Sequence, residues 1–343
     1  MKRLALAFLL LTLSACAPML RQQASTPPAG FRGPHFESTA VVSFDGARLG
    51  LSTWEAKDTP WAVIVAAHGM NDYANAFHIA GPVWAAEGVT TIAYDQRGFG
   101  RSPLRGVWAG ADLMMEDLRT VTALARAKYP HAIIAVAGES MGGSVAAAAF
   151  ASDNPPAADR LILMSPGVWG FKSQPLPNKT ALWLAANLTA SKVYTPPRWL
   201  TSHIYPPDNR EELIAMGRDP LMIWGARSDT LYGLVKLMDR AAHEVGEDRL
   251  PTLYLYGAKD DIIPKHAAFA AVKRLRPADR TAYYAAGHHL LTRDHEGPVV
   301  MGDILSFIRD PEAALPSGAP PIPGAPEHRP DQDPNASRRA AGL

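Results

Sequence analysis

Cys16 is the only cysteine in the 343 residues, which excludes an internal disulfide and a thiolate metal site. An excess of charge of one sign is missing as well. The 34 Lys and Arg face 33 Asp and Glu, a formal +1, and so even a balance gives no basic footprint for a phosphate backbone. Nucleic acid is therefore not an expected partner. The mean hydropathy of -0.08 excludes a polytopic membrane protein. What is present, 47% hydrophobic and 20% charged residues, suits a globular, enzyme-sized domain with a large core.

The two ends differ from the body. Met1, Lys2 and Arg3 make a short basic start, and the apolar run Leu4 to Leu13 falls well short of the roughly 20 residues needed to span a bilayer. It reads as a secretory signal over 1–15. Leu13-Ser14-Ala15-Cys16 then resembles a bacterial lipobox, which predicts that Cys16 is lipidated and holds the protein to the cell envelope. Ala17 beside it resembles outer-membrane sorting, hence the periplasmic face of the outer membrane. Ordinary cleavage after Ala15 or Ala17 is the alternative. Residues 16–37, with Pro18, Pro27, Pro28 and Pro34, read as the lipidated cysteine and a tether of about 70 Å reach. Residues 311–343 hold eight prolines and read as a disordered tail.

Between the ends, over 38–310, β-type and helical runs alternate. Thr39 to Phe44 and Arg48 to Trp54 flank Asp45-Gly46, a hairpin signal. Continuous apolar runs follow at 62–67, 90–94, 132–137, 161–164, 252–256 and 281–285, as expected of parallel strands covered on both faces. Helical patterns occupy 76–87, 113–128, 140–151, 265–274 and 298–308. The order predicts a doubly wound α/β architecture, an eight-stranded and mostly parallel sheet. From about 166 to 248 no strand run appears. Half of the eight tryptophans fall there, so the interval reads as a helical cap over the strand ends, with Trp169, Trp183 and Trp199 as candidate substrate contacts.

The strand ending at Ala137 runs into Gly138-Glu139-Ser140-Met141-Gly142-Gly143 and then a helix, the strand-turn-helix context that G-x-S-x-G requires. Ser140 is the candidate nucleophile. The amide of Met141, at the helix start, and that of Met70, in His68-Gly69-Met70, are the candidate oxyanion donors; His68 is assigned a structural role. A serine hydroxyl needs an imidazole to take its proton and a carboxylate to orient that imidazole. Each later loop offers a doublet, Asp260-Asp261 and His288-His289, of which one member is a bystander; Asp260 and His288 are preferred. No metal and no organic cofactor is expected.

These motifs, with Tyr94 to Ser102, Gly257 to Pro264 and Gly287-His288 before Leu290-Leu291, resemble the monoacylglycerol lipase and lysophospholipase branch of the α/β-hydrolase superfamily, grouped with the serine aminopeptidase-like hydrolases. The resemblance implies the α/β-hydrolase fold with a cap. It picks Asp260 by its spacing from Gly257 and Pro264, and His288 as the residue after the glycine. It implies a serine ester hydrolase for monoacyl lipids, which a lipidated Cys16 would tether to the membrane. Met70 and Asn71 depart from the family's usual residues there. Two rival readings remain: a serine peptidase of the proline-iminopeptidase kind, which should present acidic groups to a substrate amine, and a non-catalytic envelope lipoprotein that binds lipid.

Overall fold

Runs of Val, Ile, Leu and Ala with no polar face can be satisfied only where helices cover both sides of a sheet. The computed structural model, which describes residues 19–330, has this arrangement. The strands are β1 (His35–Phe36), β2 (Ala40–Val42), β3 (Arg48–Trp54), β4 (Ala62–Ala67), β5 (Val89–Tyr94), β6 (Ile133–Glu139), β7 (Arg160–Met164), β8 (Val193–Tyr194), β9 (Ala226–Arg227), β10 (Thr252–Gly257) and β11 (Arg280–Tyr284). The α-helices are α1 (Ala80–Ala86), α2 (Ala111–Lys128), α3 (Met141–Phe150), α4 (Leu176–Leu188), α5 (Arg198–Thr201), α6 (Arg210–Arg218), α7 (Ser228–Glu244), α8 (Lys265–Val272) and α9 (Gly297–Arg309).

One sheet runs in the order β1-β2-β3-β5-β4-β6-β7-β10-β11. The first three strands pair antiparallel, as does β3 with β5, and every pair from β5 to β11 is parallel. All eight expected strand runs are in it, and the two-residue β1 adds a ninth at the edge. Because successive side chains leave a strand on opposite faces, Val63 and Val65 join a core with α2, α3, α7 and α8. Ala62, Ile64 and Ala66 join a second core with α1 and α9.

The chain between β7 and β10 departs from a simple cap. It carries a short antiparallel ladder of β8 with β9. Its last helix, α7, buries Val235, Leu237, Met238 and Ala241 in the first core and so belongs to the layer flanking the sheet. Only α4 to α6 and their loops remain as cover.

Both terminal stretches are ordered where the structure describes them. Residues 19–34, expected to be a free tether, lie along the body: the Leu20 amide donates to Asp229, the buried Gln22 donates to Val107, and the Ser25 amide donates to Asp45. Residues 311–330, expected to be disordered, run beside β11. The Tyr283 amide donates to Pro320 O, the Ile322 amide donates to Thr281 Oγ1, and Ile322 is buried. The backbone groups on the open edge of β11 explain the docking, since an unpaired strand edge gains hydrogen bonds from any segment that covers it. Cys16 and residues 331–343 lie outside the described residues.

Asp45, at the β2–β3 turn where Gly46 takes φ +80°, receives two hydrogen bonds from the Arg97 guanidinium at 2.8 and 2.7 Å. The same guanidinium donates to Asp117 of α2 at 2.6 and 2.8 Å. All three side chains are buried. Removing the cation strands two buried carboxylates, so Arg97→Met should lower stability by roughly 3–5 kcal/mol, read as a fall in the urea midpoint; a change below 1 kcal/mol would show that the knot is not what holds the hairpin to α2.

Candidate active site

Ser140 sits between β6 and α3 with φ +52° and ψ -115°, a left-handed conformation that a non-glycine residue adopts only when its surroundings enforce it. Two glycines make the turn possible. A Cβ on Gly138 would come within 2.5 Å of Gly142 O, and one on Gly142 would overlap the carbonyl of Ala67 in β4. The Ser140 amide is tied to Met164 O of β7 at 3.0 Å. Met141, the first residue of α3, has an amide with no intrahelical acceptor and lies at the positive end of the helix dipole.

A cavity of about 330 Å³ opens over this turn and brings together Ser140, Met70, Met141 and His289. Its remaining lining is mostly apolar, from Trp169, Met216, Met222, Leu234, Met238, Ile262, Ile263 and Leu290. Of the three cap tryptophans, Trp169 alone is part of it. Trp183 lines a separate shallow cleft with Phe171 and Tyr232, and Trp199 is 75% exposed. Neither belongs to the cavity because the outer cap helices carry these rings on their solvent side.

The structure pairs Asp260 with His289 and not with His288, the histidine expected to meet it. His289 Nδ1 lies 2.8 Å from Asp260 Oδ2, with both side chains buried. His288 instead faces Asp294, its Nδ1 3.5 Å from Oδ1. The cause lies in the backbone. The turns after β10 and β11 touch at Gly257 and Gly287, where the Lys259 amide donates to Gly287 O and a Cβ on Gly257 would strike the carbonyls of Gly287 and His288. That contact sets the register in which the second histidine, not the first, meets Asp260. Of the two acids, Asp260 is the one that meets a histidine: its Oδ1 accepts the amides of Ile262 and Ile263 at 2.8 Å each, while Asp261 is exposed.

Burial alone would lower the His289 pKa, but the Asp260 carboxylate, by charge and hydrogen bond, and the Glu139 carboxylate outweigh it, and the net shift is upward. With Nδ1 committed to Asp260, Nε2 is the nitrogen that can receive a proton. His68 has the structural role expected of it. Its Nδ1 donates to Gly69 O and its Nε2 accepts the Gln96 amide, a neutral pairing consistent with a pKa that burial pushes down.

Sequence reasoning missed Arg293. This fully buried guanidinium pairs with Glu139 at 2.7 Å, Asp72 at 2.8 Å and, at 3.7 Å, Glu212 of α6. It thus joins the residue before Ser140, the loop after Met70 and the cap. The only signal was the row of charges in Thr292-Arg293-Asp294-His295-Glu296, which does not say that one of them turns inward. Arg293 also holds the His289 pKa down. Arg293→Met should therefore raise it, and an NMR titration of the His289 ring should show its midpoint moving to higher pH; a shift to lower pH would contradict the charge layout.

Comparisons with known proteins address the family and the fold. Residues 58–296 match the family model described as Serine aminopeptidase, S33. The monoacylglycerol lipase of Mycolicibacterium smegmatis is 26% identical over 77% of this chain and 93% of its own. The monoglyceride lipase of Mus musculus is 25% identical over 84% and 95%. Among solved structures, a soluble variant of the Saccharomyces cerevisiae monoglyceride lipase superposes with a TM-score of 0.67 at 16% identity, over 87% of this chain and all of that one. A monoacylglycerol lipase from Paleococcus ferrophilus gives 0.61 at 18%, over 76% and 98%. Since the family model covers well over half of the sequence, the chain belongs to the serine aminopeptidase S33 family of α/β-hydrolases.

Proposed function

We propose that this protein is a membrane-tethered serine hydrolase that cleaves esters of monoacyl lipids. The observation that carries the reading is one cavity holding Ser140 on a strained turn together with the Asp260-paired His289. Ser140 Oγ attacks the ester carbonyl carbon while His289 Nε2 takes its proton, and Asp260 holds the ring in the tautomer that allows this. The amides of Met70 and Met141 stabilise the oxyanion. The intermediate collapses as His289 returns the proton to the leaving alcohol, and water then attacks the acyl-enzyme with the same histidine as base.

The substrate class follows from the lining. Met70, Met141, Met216, Met222 and Met238 offer unbranched, adaptable side chains that fit a flexible acyl chain. The lipases named above act on monoacylglycerols by their descriptions, which supports the same class here. The peptidase alternative needs free carboxylates for a substrate amine. The carboxylates at the cavity, Asp72 and Glu139, are both engaged by Arg293, so monoacylglycerols and aryl esters should be cleaved well ahead of aminoacyl anilides.

For the tether, the docked strap shortens the free link. From Cys16 to Leu20 the chain can reach at most about 14 Å, and Leu20 is fixed to Asp229 at the start of α7. A lipid on Cys16 would hold the body close to the bilayer at the envelope. Helix α4 leaves Leu176, Trp183, Leu184 and Leu188 exposed, a surface that an acyl interface would cover. No helix among the described residues is long and apolar enough to cross a membrane.

Ser140→Ala should cost on the order of 10⁵ or more in ester turnover, because the three residues act as a unit. Asp260→Asn should cost roughly 10³–10⁴, and His289→Ala should approach the serine variant. Asp261→Asn and His288→Ala should each cost less than about tenfold. Since only neutral His289 accepts the proton and its pKa is raised, kcat/KM should fall with acid through a midpoint above the ordinary value of about 6.5. A defect larger in His288→Ala than in His289→Ala would overturn the assignment.

Cys16→Ala should release the protein from membranes without changing turnover of soluble short-chain esters. An unmodified N-terminus in mass spectrometry of the mature wild-type protein, or wild type that washes off at high salt, would remove the anchor from the reading.

A further inference from the structure

The histidine doublet leaves His288 without a part in the chemistry. Its Nδ1 is buried and makes no hydrogen bond among the described residues, although the residue is only 8% exposed. It faces a carboxylate, and a second one lies nearby. Asp294 Oδ1 lies 3.5 Å away, and one ligand atom from each of Asp208, His288 and Asp294 lies within 4.8 Å of the other two. Among the described residues no lysine or arginine forms an ion pair with Asp208 or Asp294.

The three groups are held in place by backbone. Asp294 Oδ2 accepts the His288 amide at 2.6 Å and its Oδ1 the Asp208 amide at 2.9 Å. Asp208 Oδ1 accepts the His295 amide at 2.8 Å. Hydrogen bonds of this kind orient ligating carboxylates and leave each oxygen a further lone pair.

We propose that Asp208, His288 and Asp294 bind a divalent first-row cation, zinc being the best match. Bonds of about 2.0–2.2 Å in a tetrahedral set place neighbouring ligand atoms about 3.4 Å apart, close to the His288–Asp294 separation. Asp208 is half-buried; it gives the ion a way in and can turn its carboxylate toward the other two. Two carboxylates and one imidazole balance the double charge, and the imidazole favours zinc over magnesium or calcium. A water would complete the four ligands.

The site bridges two parts of the fold. Asp208 belongs to the cap loop before α6, where Pro206 O accepts the Leu290 amide, and His288 and Asp294 flank His289. The ion would pin the cap loop to the histidine loop and take no part in ester chemistry.

The full-length protein, stripped with EDTA and dialysed, is titrated with zinc chloride by calorimetry, counted for metal and melted with and without zinc. One zinc per chain and a raised Tm are expected, with manganese weaker and magnesium inert. Asp208→Asn and His288→Gln should each weaken zinc binding at least tenfold and lose the zinc-dependent rise in Tm. Asp208→Asn, at a half-exposed loop position, stays informative if His288→Gln does not fold. No stoichiometric binding to the wild type, or wild-type zinc affinity in Asp208→Asn, would overturn the site. None of these readouts uses ester turnover, so their failure and the failure of the hydrolase reading are distinguishable.

Discussion

A buried guanidinium is the constraint on which the active-site architecture turns. Arg293 holds Glu139, Asp72 and Glu212 together, and each of these belongs to a different part: the turn that carries Ser140, the loop after Met70, and the cap. Burying such ions costs several kcal/mol each, which only close pairing offsets. A displacement of any one part would leave a charge uncompensated in the interior. Arg293 follows His289 by four residues, so the histidine loop is tied into the same arrangement. The carboxylate excess around it also sets the field at His289, where Asp260 and Glu139 raise the ring's affinity for a proton and Arg293 lowers it.

The strain at Ser140 is sustained by the sheet rather than by the turn itself. A positive φ at serine costs of order 1–3 kcal/mol, and β4, β6 and β7 all hold the turn in place. Ala67 O lies against Gly142, and Met164 O takes the Ser140 amide. Parallel strands deliver their carboxyl ends to one edge, so the Ser140 turn, the loop after β4 and the loops after β10 and β11 open onto one place. The start of α3 adds an amide and a dipole there, where charge would develop in the proposed acyl transfer.

The ordered ends extend the same economy of edges and loops. The stretch 19–34 binds to the loop around Trp108, to Asp45 and to Asp229, and so links the hairpin side of the sheet with α7. At the other edge, 311–330 shields β11 from the pairing that an open strand invites. Both segments are rich in proline, and their order comes from backbone hydrogen bonds with the body rather than from any pattern of their own.

The sequence by itself determined the order of strands and helices, because apolar periodicity and hairpin residues are local signals. It also singled out Ser140 as the candidate nucleophile, since glycine spacing around a strand-to-helix turn allows little else, and Asp260 over Asp261 as the acid to meet a histidine. Four things were decided only by tertiary structure. In the His288-His289 doublet neighbouring side chains point apart, and only the Gly257–Gly287 contact fixes which of them meets Asp260. Arg293 looked like one member of a solvated charged loop until three carboxylates from distant positions surrounded it. Trp183 and Trp199 looked like cavity residues by composition, but a helix face, not its amino-acid content, decides what it covers. The proline-rich ends looked like a tether and a disordered tail because the partners of their backbone groups are far away in the chain, and no local pattern can report a hydrogen bond whose other half is supplied by the fold.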